Sequence, residues 1–221
     1  MLERVFSYLI SKFEKANISW AQEGEDLILA RFFEQKKNGF YIDVGAHHPK
    51  RFSNTQYFYL RGWRGINIDA NIDSIKLFSK YRPKDKNICI GIGPSNSSMK
   101  YYKFQESALN TFSSSRYESL KDTWRIKDII NIPISPLSEV LKQNMPKQQH
   151  IDFMNIDVEG LDYEVLLSND WNKYRPDYLL IEILNKNMDT INLNKEVLYL
   201  KKIGYSIKAM TCNTVILGLY T

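Results

Sequence analysis

Acidic residues close four of the five short apolar segments in this sequence, and glycines or histidines sit beside several of them. The first segment ends Asp43-Val44-Gly45-Ala46-His47-His48-Pro49 and the second ends at Asp69. The third runs out in Gly91-Ile92-Gly93, the fourth in Asp157-Val158-Glu159-Gly160, and the fifth at Glu182. Gly45 stands where a chain must turn tightly and let a ligand approach its backbone. Asp69 follows it by 24 residues (69 − 45). An acidic residue takes up a ribose diol in dinucleotide folds at a spacing of about 20. A carboxylate suits that task because it accepts both hydroxyl protons at once. The fingerprint G-x-G-x-x-G is missing, and His47, His48 and Pro49 occupy the place of its pyrophosphate cradle. These residues favour a ligand with a nucleoside but no pyrophosphate across the turn. S-adenosylmethionine fits; NAD fits badly.

Such residues need a frame, and the hydrophobic pattern supplies one. Phe40–Val44, Gly65–Asp69, Asn87–Ile92, Ile151–Ile156 and Asp177–Leu184 read as buried strands. Helical stretches pass through Tyr57–Leu60, Ile75–Phe78, Tyr163–Leu167 and Asn194–Ile203, the last stopped by Gly204. Tyr205–Met210 and Thr214–Leu219 read as two strands around a tight turn near Cys212-Asn213. Strand–helix alternation with a terminal hairpin predicts a doubly wound α/β fold, its sheet mostly parallel with one antiparallel edge strand. In such sheets ligands bind beyond the carboxyl ends of the strands, where the residues above lie.

Upstream, residues 1–38 predict two helices. Leu2, Val5, Phe6, Leu9, Ile10 and Phe13 trace one helical face, suited to packing on the domain, with a membrane or partner as the other use. Ser19 and Gln22 have the form of a capping box opening the second helix. Between strands three and four, residues 94–149 are too long for a simple crossover. They carry Met99–Phe104 and Ile129–Ile134 as strand-like runs and a helix from Ser138, and read as an insertion over the carboxyl edge of the sheet.

Composition sets the outer bounds. At 221 residues with 43% hydrophobic and 25% charged residues, the chain suits one globular domain spanning 1–221. Two cysteines, Cys89 and Cys212, make neither a disulfide framework nor a four-cysteine zinc site, so a reducing cytoplasm is the expected compartment. No apolar run reaches the roughly 18 residues of a membrane span, and no secretory signal is recognisable. The formal charge of +5 suits acidic partners, but the lysines are scattered rather than striped, and no nucleic-acid partner is expected.

Several blocks in register carry a specific resemblance. Tyr41-Ile42-Asp43-Val44-Gly45-Ala46, Ser53-Asn54-Thr55, Gly62-Trp63-Arg64-Gly65-Ile66 and Asn155-Ile156-Asp157-Val158-Glu159-Gly160 together resemble the FkbM family of S-adenosylmethionine-dependent methyltransferases. Ala21-Gln22-Glu23-Gly24-Glu25-Asp26 is similar to an element of one branch of that family. The resemblance implies a class I methyltransferase (Rossmann-like) fold and O-methylation of a small molecule or sugar. It implies Asp43 and Gly45 at the methionine portion of the cofactor and Asp69 at the ribose. Ala70 and Asn71 would lie near the adenine, with Gly91 and Ile92 on its other side. Gln22, Ser53, Asn54 and Thr55 would line cofactor or acceptor, helix capping being the other reading of Asn54 and Thr55. The chain departs from the broader pattern at His47-His48-Pro49, where a further glycine is usual.

Methyl transfer from a sulfonium to a sugar hydroxyl needs alignment, and a base or a metal to take or displace the hydroxyl proton. Asp157 is the favoured base or cation ligand, and Glu159 and Glu182 could complete a carboxylate cluster. Helix capping by Glu159 and loop ordering by Glu182 are the alternatives. Asp157, Glu182 and Asn185 could supply three oxygen ligands to a divalent cation. His48 is a further candidate proton acceptor. Arg116, Lys121 and Arg125, with Tyr101, Tyr102, Tyr117 and Trp124, suit the phosphates and rings of a nucleotide-linked sugar. The expectation is therefore an O-methyltransferase acting on a carbohydrate, a nucleotide sugar or glycan precursor. The alternatives are a silent nucleoside-binding or membrane-peripheral module, or a methyltransferase acting on RNA or a small non-sugar alcohol.

Overall fold

The protein is described from a computed structural model, which covers residues 4–5, 7–8, 17–34, 36–184 and 187–220. Most of the helix expected over Leu2–Phe13 lies outside the described residues. Seven strands form the main sheet: β1 (Phe40–Val44), β2 (Arg64–Asp69), β3 (Lys86–Cys89), β7 (Phe153–Ile156), β8 (Tyr178–Glu182), β9 (Tyr205–Met210) and β10 (Thr214–Leu219). Their order is β3-β2-β1-β7-β8-β10-β9. The first five pair in parallel, and β10 runs antiparallel to both β8 and β9.

Alternate residues of the central strands face two separate cores, which is why these segments read as unbroken apolar runs. One face carries Ile42, Ile66, Met154, Ile181 and Leu217 against the helix layer. That layer comprises α5 (Leu137–Asn144), α6 (Asp162–Leu167) and α7 (Lys195–Lys202). The other face carries Tyr41, Phe153, Leu180 and Ile216 against Leu29, Phe58 and Trp63. Leu29 comes from α1 (Glu25–Phe32) and Phe58 from α2 (Gln56–Leu60). Helix α3 (Ile72–Tyr81) packs beside β2 and β3, with Phe78 fully buried.

Three local expectations need correction. The antiparallel strand is not the edge of the sheet: β10 lies inside, and β9 forms the edge. Val215, Ile216 and Leu217 are fully buried and need partners on both sides, whereas β9 is mostly half-exposed. Helix α1 begins after Gly24 and not at Ser19. Gly24 is left-handed (φ 88°), and the Asp26 carboxylate takes the Ser19 hydroxyl at 2.6 Å and the Trp20 N–H at 2.8 Å. The loop is thus gathered to the helix start instead of continuing it. The third apolar run is two strands: Ile90 still donates its N–H to Asp69 O on β2, and Gly91 and Ile92 then pair in a second sheet.

Beyond that turn, β4 (Gly91–Ile92), β5 (Ser97–Phe104) and β6 (Ile126–Ser135) form a three-stranded sheet ordered β4-β6-β5. Helix α4 (Ser114–Leu120), capped by Ser113, lies between β5 and β6 in the chain. Helix α5, by contrast, belongs to the helix layer, since Leu137 and Leu141 are fully buried in the main core. The β5–α4 segment reaches the carboxyl edge of the main sheet through several contacts, among them these. Ser107 Oγ meets His47 Nε2 at 3.1 Å, Thr111 donates to Glu159 O at 2.7 Å, and Arg51 pairs with Glu106.

Candidate active site

A cleft of about 1120 Å³, the open space at its mouth included, runs across the carboxyl ends of the parallel strands. Its floor is the turn after β1. The N–H groups of Gly45 and Ala46 donate to Ile68 O, and Gly45 takes φ 79°. A Cβ on Gly45 would stand 1.7 Å from Asp157 O, so the turns after β1 and β7 touch only because no side chain intervenes.

Over β2 the cleft is lined by Asp69, Ala70, Gly91 and Ile92. The Asp69 carboxylate accepts the N–H of His47 at 2.8 Å and of Asn71 at 2.6 Å. Burial nevertheless pushes its pKa up to about 6, those two N–H groups opposing the rise. Ile90, Tyr101 and Phe112 line the wall beyond it. Asn71 stands outside the lining. Its side chain caps α3 by accepting the Asp73 N–H, and its own N–H orients Asp69.

Asp43 lies under the turn in a fully polar nest. Its Oδ2 accepts the Thr55 hydroxyl at 2.8 Å and its Oδ1 accepts Asn155 Nδ2 at 3.0 Å. Asn155 in turn accepts Asn54 Nδ2 at 2.9 Å. Asp43, Asn54 and Asn155 line the cleft, while Thr55 is buried beneath them. Thr55 therefore supports the lining and does not form it.

Over β7 and β8 the chain gathers three carboxylates. One oxygen from each of Asp157, Glu159 and Glu182 lies within 4.8 Å of the other two. Burial, then mutual repulsion, holds the Asp157 carboxyl well above the ordinary range, and burial raises Glu159 and Glu182 as well. Asp157 Oδ1 is sealed from solvent without a hydrogen-bond partner. An unpaired buried acceptor is costly, and here it stands among groups able to hold a proton or a cation. Asn185, expected as a further ligand, lies outside the described residues.

Glu159 caps no helix. It adopts a left-handed φ of 55°, and its carboxylate receives Arg116 Nη2 at 3.0 Å and Nε at 3.1 Å. Helix α6 has no side-chain cap, and Asp162, its first residue, accepts the N–H groups of Val158 and Gly160 from the turn ahead of it. Glu182 lines the cleft.

His48 is turned to backbone duty, its Nδ1 accepting the N–H groups of Lys50 and Arg51, and it does not line the cleft. His47 lines it instead, with a pKa pushed down to about 4 by burial and then by Arg51. Two of the three cations expected to meet phosphates have carboxylate partners. Arg116 is committed to Glu159 and Lys121 to Glu118. Tyr102 and Tyr117 stack on each other at 4.2 Å.

The remaining wall joins distant parts of the chain. Gln22, Glu23 and Glu25 line the cleft beside Asn213 and Thr214. Glu23 accepts the Asn213 N–H at 2.8 Å and its Nδ2 at 2.7 Å, and Glu25 accepts the Thr211 hydroxyl at 2.9 Å. Sequence reasoning singled out Gln22, and Tyr101 for the acceptor, but missed the neighbours of Gln22 and also Phe112 and Asn155. Asn155 carried a signal, a polar residue inside an apolar strand. Phe112 carried none.

The strand order with its penultimate antiparallel strand, the glycine turn after β1 and the acidic residue closing β2 define the class I methyltransferase fold. The methyltransferase FkbM domain matches residues 43–207. The chain belongs to the FkbM methyltransferase family.

No curated protein matches the sequence. Among solved structures, a methyltransferase FkbM from Methylobacillus flagellatus is similar at 12% identity and a TM-score of 0.48, over 83% of this chain. The present chain spans 44% of that one. A proposed RNA methyltransferase from Pyrococcus horikoshii is 12% identical with a TM-score of 0.47, over 94% of this chain and 92% of its own. An O-methyltransferase from Bacillus cereus in complex with SAH is 11% identical with a TM-score of 0.45, over 100% of this chain and 90% of its own.

Proposed function

We propose that the chain binds S-adenosylmethionine and methylates a hydroxyl group of a carbohydrate. The observation that carries this reading is the contact between two turns. Gly45 brings the turn after β1 against Asp157, so a cofactor cradle and a buried carboxylate cluster share one cleft. The residues fit the cofactor. The side-chain-free Gly45 turn lines the cleft, and the Asp69 carboxylate is held for a diol by two N–H groups. Asp43, Asn54 and Asn155 would hold the amino-acid end, and Ala70, Gly91 and Ile92 the base. Bound there, S-adenosylmethionine supplies an electrophilic methyl group, and its sulfur keeps the electrons of the broken C–S bond as the neutral thioether S-adenosylhomocysteine (SAH).

The chain's own task is to place the acceptor oxygen and take its proton. Asp157 in its ionised form accepts that proton, and its raised affinity for protons brings it nearer to matching a weakly acidic hydroxyl. Glu159, fixed by Arg116, and Glu182 stand close enough to raise the proton affinity of Asp157 by repulsion. A second reading assigns the three carboxylates to a divalent cation that binds the hydroxyl and lowers its pKa. The partnerless Asp157 Oδ1 favours it. In either case the chain acts as one catalytic unit, with the β5–α4 segment covering the acceptor side. Two free, exposed cysteines suit the reducing cytoplasm as its place of action. Among the described residues no helix is long and apolar enough to cross a membrane.

Incubation with methyl-labelled cofactor and a panel of free and nucleotide-linked sugars tests the reading. Label on a sugar oxygen supports it, and label only on RNA or on a non-sugar alcohol overturns the carbohydrate assignment. Because Arg116 and Lys121 are spent on carboxylates, free sugars should be methylated at least as well as their nucleotide-linked forms. Loss of turnover with a chelator, restored by magnesium or manganese, selects the cation reading.

Cofactor affinity should also follow the Asp69 titration. The ionised carboxylate accepts the ribose protons, and protonation removes acceptor capacity. Binding is therefore full above the raised pKa of about 6 and falls as pH drops through it. SAH should bind about tenfold more weakly at pH 5 than at pH 7. Calorimetry on Asp69→Asn should show weaker binding and a flatter profile. An unchanged profile in that variant would remove Asp69 from the ribose site.

A further inference from the structure

Arg82 is the one fully buried cation among the described residues, and nothing in the proposed chemistry uses it. It caps the end of α3 and does not line the cleft. Its Nε donates to Gln56 Oε1 at 3.1 Å, Nη1 to Thr55 Oγ1 at 2.7 Å, and Nη2 to Ser53 Oγ at 2.8 Å and to Pro49 O. All four acceptors are neutral, and all belong to the stretch from the turn after β1 to the first residue of α2. A buried guanidinium without a directly bonded carboxylate is expensive to keep. Tying one helix end to a loop could be done by apolar packing at less cost.

The Thr55 contact shows what the charge accomplishes. Thr55 Oγ1 receives Arg82 and gives its own proton to Asp43, so the hydroxyl can serve both partners only with its hydrogen aimed at the carboxylate. Asp43 then orients Asn155, and Asn155 holds Asn54. Arg82 also acts on the Asp43 charge through space. It lowers a carboxyl pKa that burial raises, whereas Tyr41, Asp69 and Asp157 all place acidic groups near Asp43.

On the reading above, we infer that Arg82 is a positioning residue for the cofactor: through Thr55 it fixes Asp43 and Asn54 against the methionine end. A planar fork serves four acceptors at once, which an ammonium cannot do. The relay, and not helix stability, should set cofactor affinity.

The test measures SAH affinity by calorimetry beside the melting temperature, on the full chain. Arg82→Lys and Thr55→Val should each weaken SAH binding about tenfold. Thr55→Ser, which restores the hydroxyl, should bind within twofold of wild type. Ile75→Ala removes buried bulk from the same helix without touching the relay. It should lower the melting temperature and leave SAH affinity unchanged. Two outcomes overturn the inference alone: wild-type affinity in folded Arg82→Lys and Thr55→Val, or affinity that tracks melting temperature across all four variants. A wild-type chain that does not bind SAH overturns the methyltransferase reading as well.

Discussion

Asp157→Asn should bind SAH within about threefold of wild type while its turnover falls by about 10²-fold or more. The substitution keeps the shape of the side chain and removes its charge and its basicity. Cofactor contacts through Gly45 depend on the Asp157 backbone, which the change leaves in place. The expected effect on stability makes this prediction sharper. Asp157 is repelled by Glu182, Glu159, Asp162 and Asp43, and its Oδ1 has no donor. Neutralising it should therefore hold or raise the melting temperature, as removal of a purely structural anchor would not. If the cluster holds a cation, the same variant should also lose its response to manganese. Full turnover in Asp157→Asn would end both the base and the cation versions.

Gly45→Ala should be worse still for binding, lowering SAH affinity by more than about 10²-fold and stability by about 3 kcal/mol or more. Two costs add. An alanine at φ 79° pays the left-handed penalty of about 1–2 kcal/mol. Its Cβ would also stand 1.7 Å from the Asp157 carbonyl oxygen, a backbone atom that cannot swing aside. The turns after β1 and β7 must then part, which separates the cofactor cradle from the carboxylates. Gly160→Ala is the matched control. Gly160 is also at positive φ, 104°, yet its Cβ would meet only ordinary contacts with Ser113 at 3.4–3.5 Å. It should show a conformational cost alone. Urea unfolding and SAH titration of the two variants separate the effects, and similar losses in both would show that the contact between the turns is unimportant.

Much of the fold was legible because parallel strands covered on both faces leave apolar runs of β length. Phe40–Val44, Tyr205–Met210 and Thr214–Leu219 fall where the pattern puts them. The order of the last two strands was not legible, because burial on both sides of β10 is a property of its neighbours. At the site, Asp43, Asp69, Asp157 and Glu182 stand out as acidic residues ending apolar runs and Gly45 as the turn glycine after the first, and the structure lines one cleft with all five. Two adjacent histidines look alike in sequence, yet in the structure His47, at a left-handed φ of 53°, lines the cleft while His48 turns to the backbone of Lys50 and Arg51. Arg82 was invisible for a related reason. Nothing in a helix-ending arginine announces that a loop some 26–33 residues earlier will wrap around it.

The wall that joins Glu23 to Asn213 also has a timetable. Its two sides are 190 residues apart, and ribosomes add about 5–20 residues each second. Glu23 therefore waits about 10–40 s for its partner while the strands between are made. β8 ends at Glu182 and β10 is complete at Leu219, so for about 2–7 s at the end of that interval the hydrogen-bonding edge of β8 lacks its neighbour and stands open to any other chain. Slow synthesis lengthens that exposure. The yield of active protein should depend on what shields the edge of β8 during those seconds.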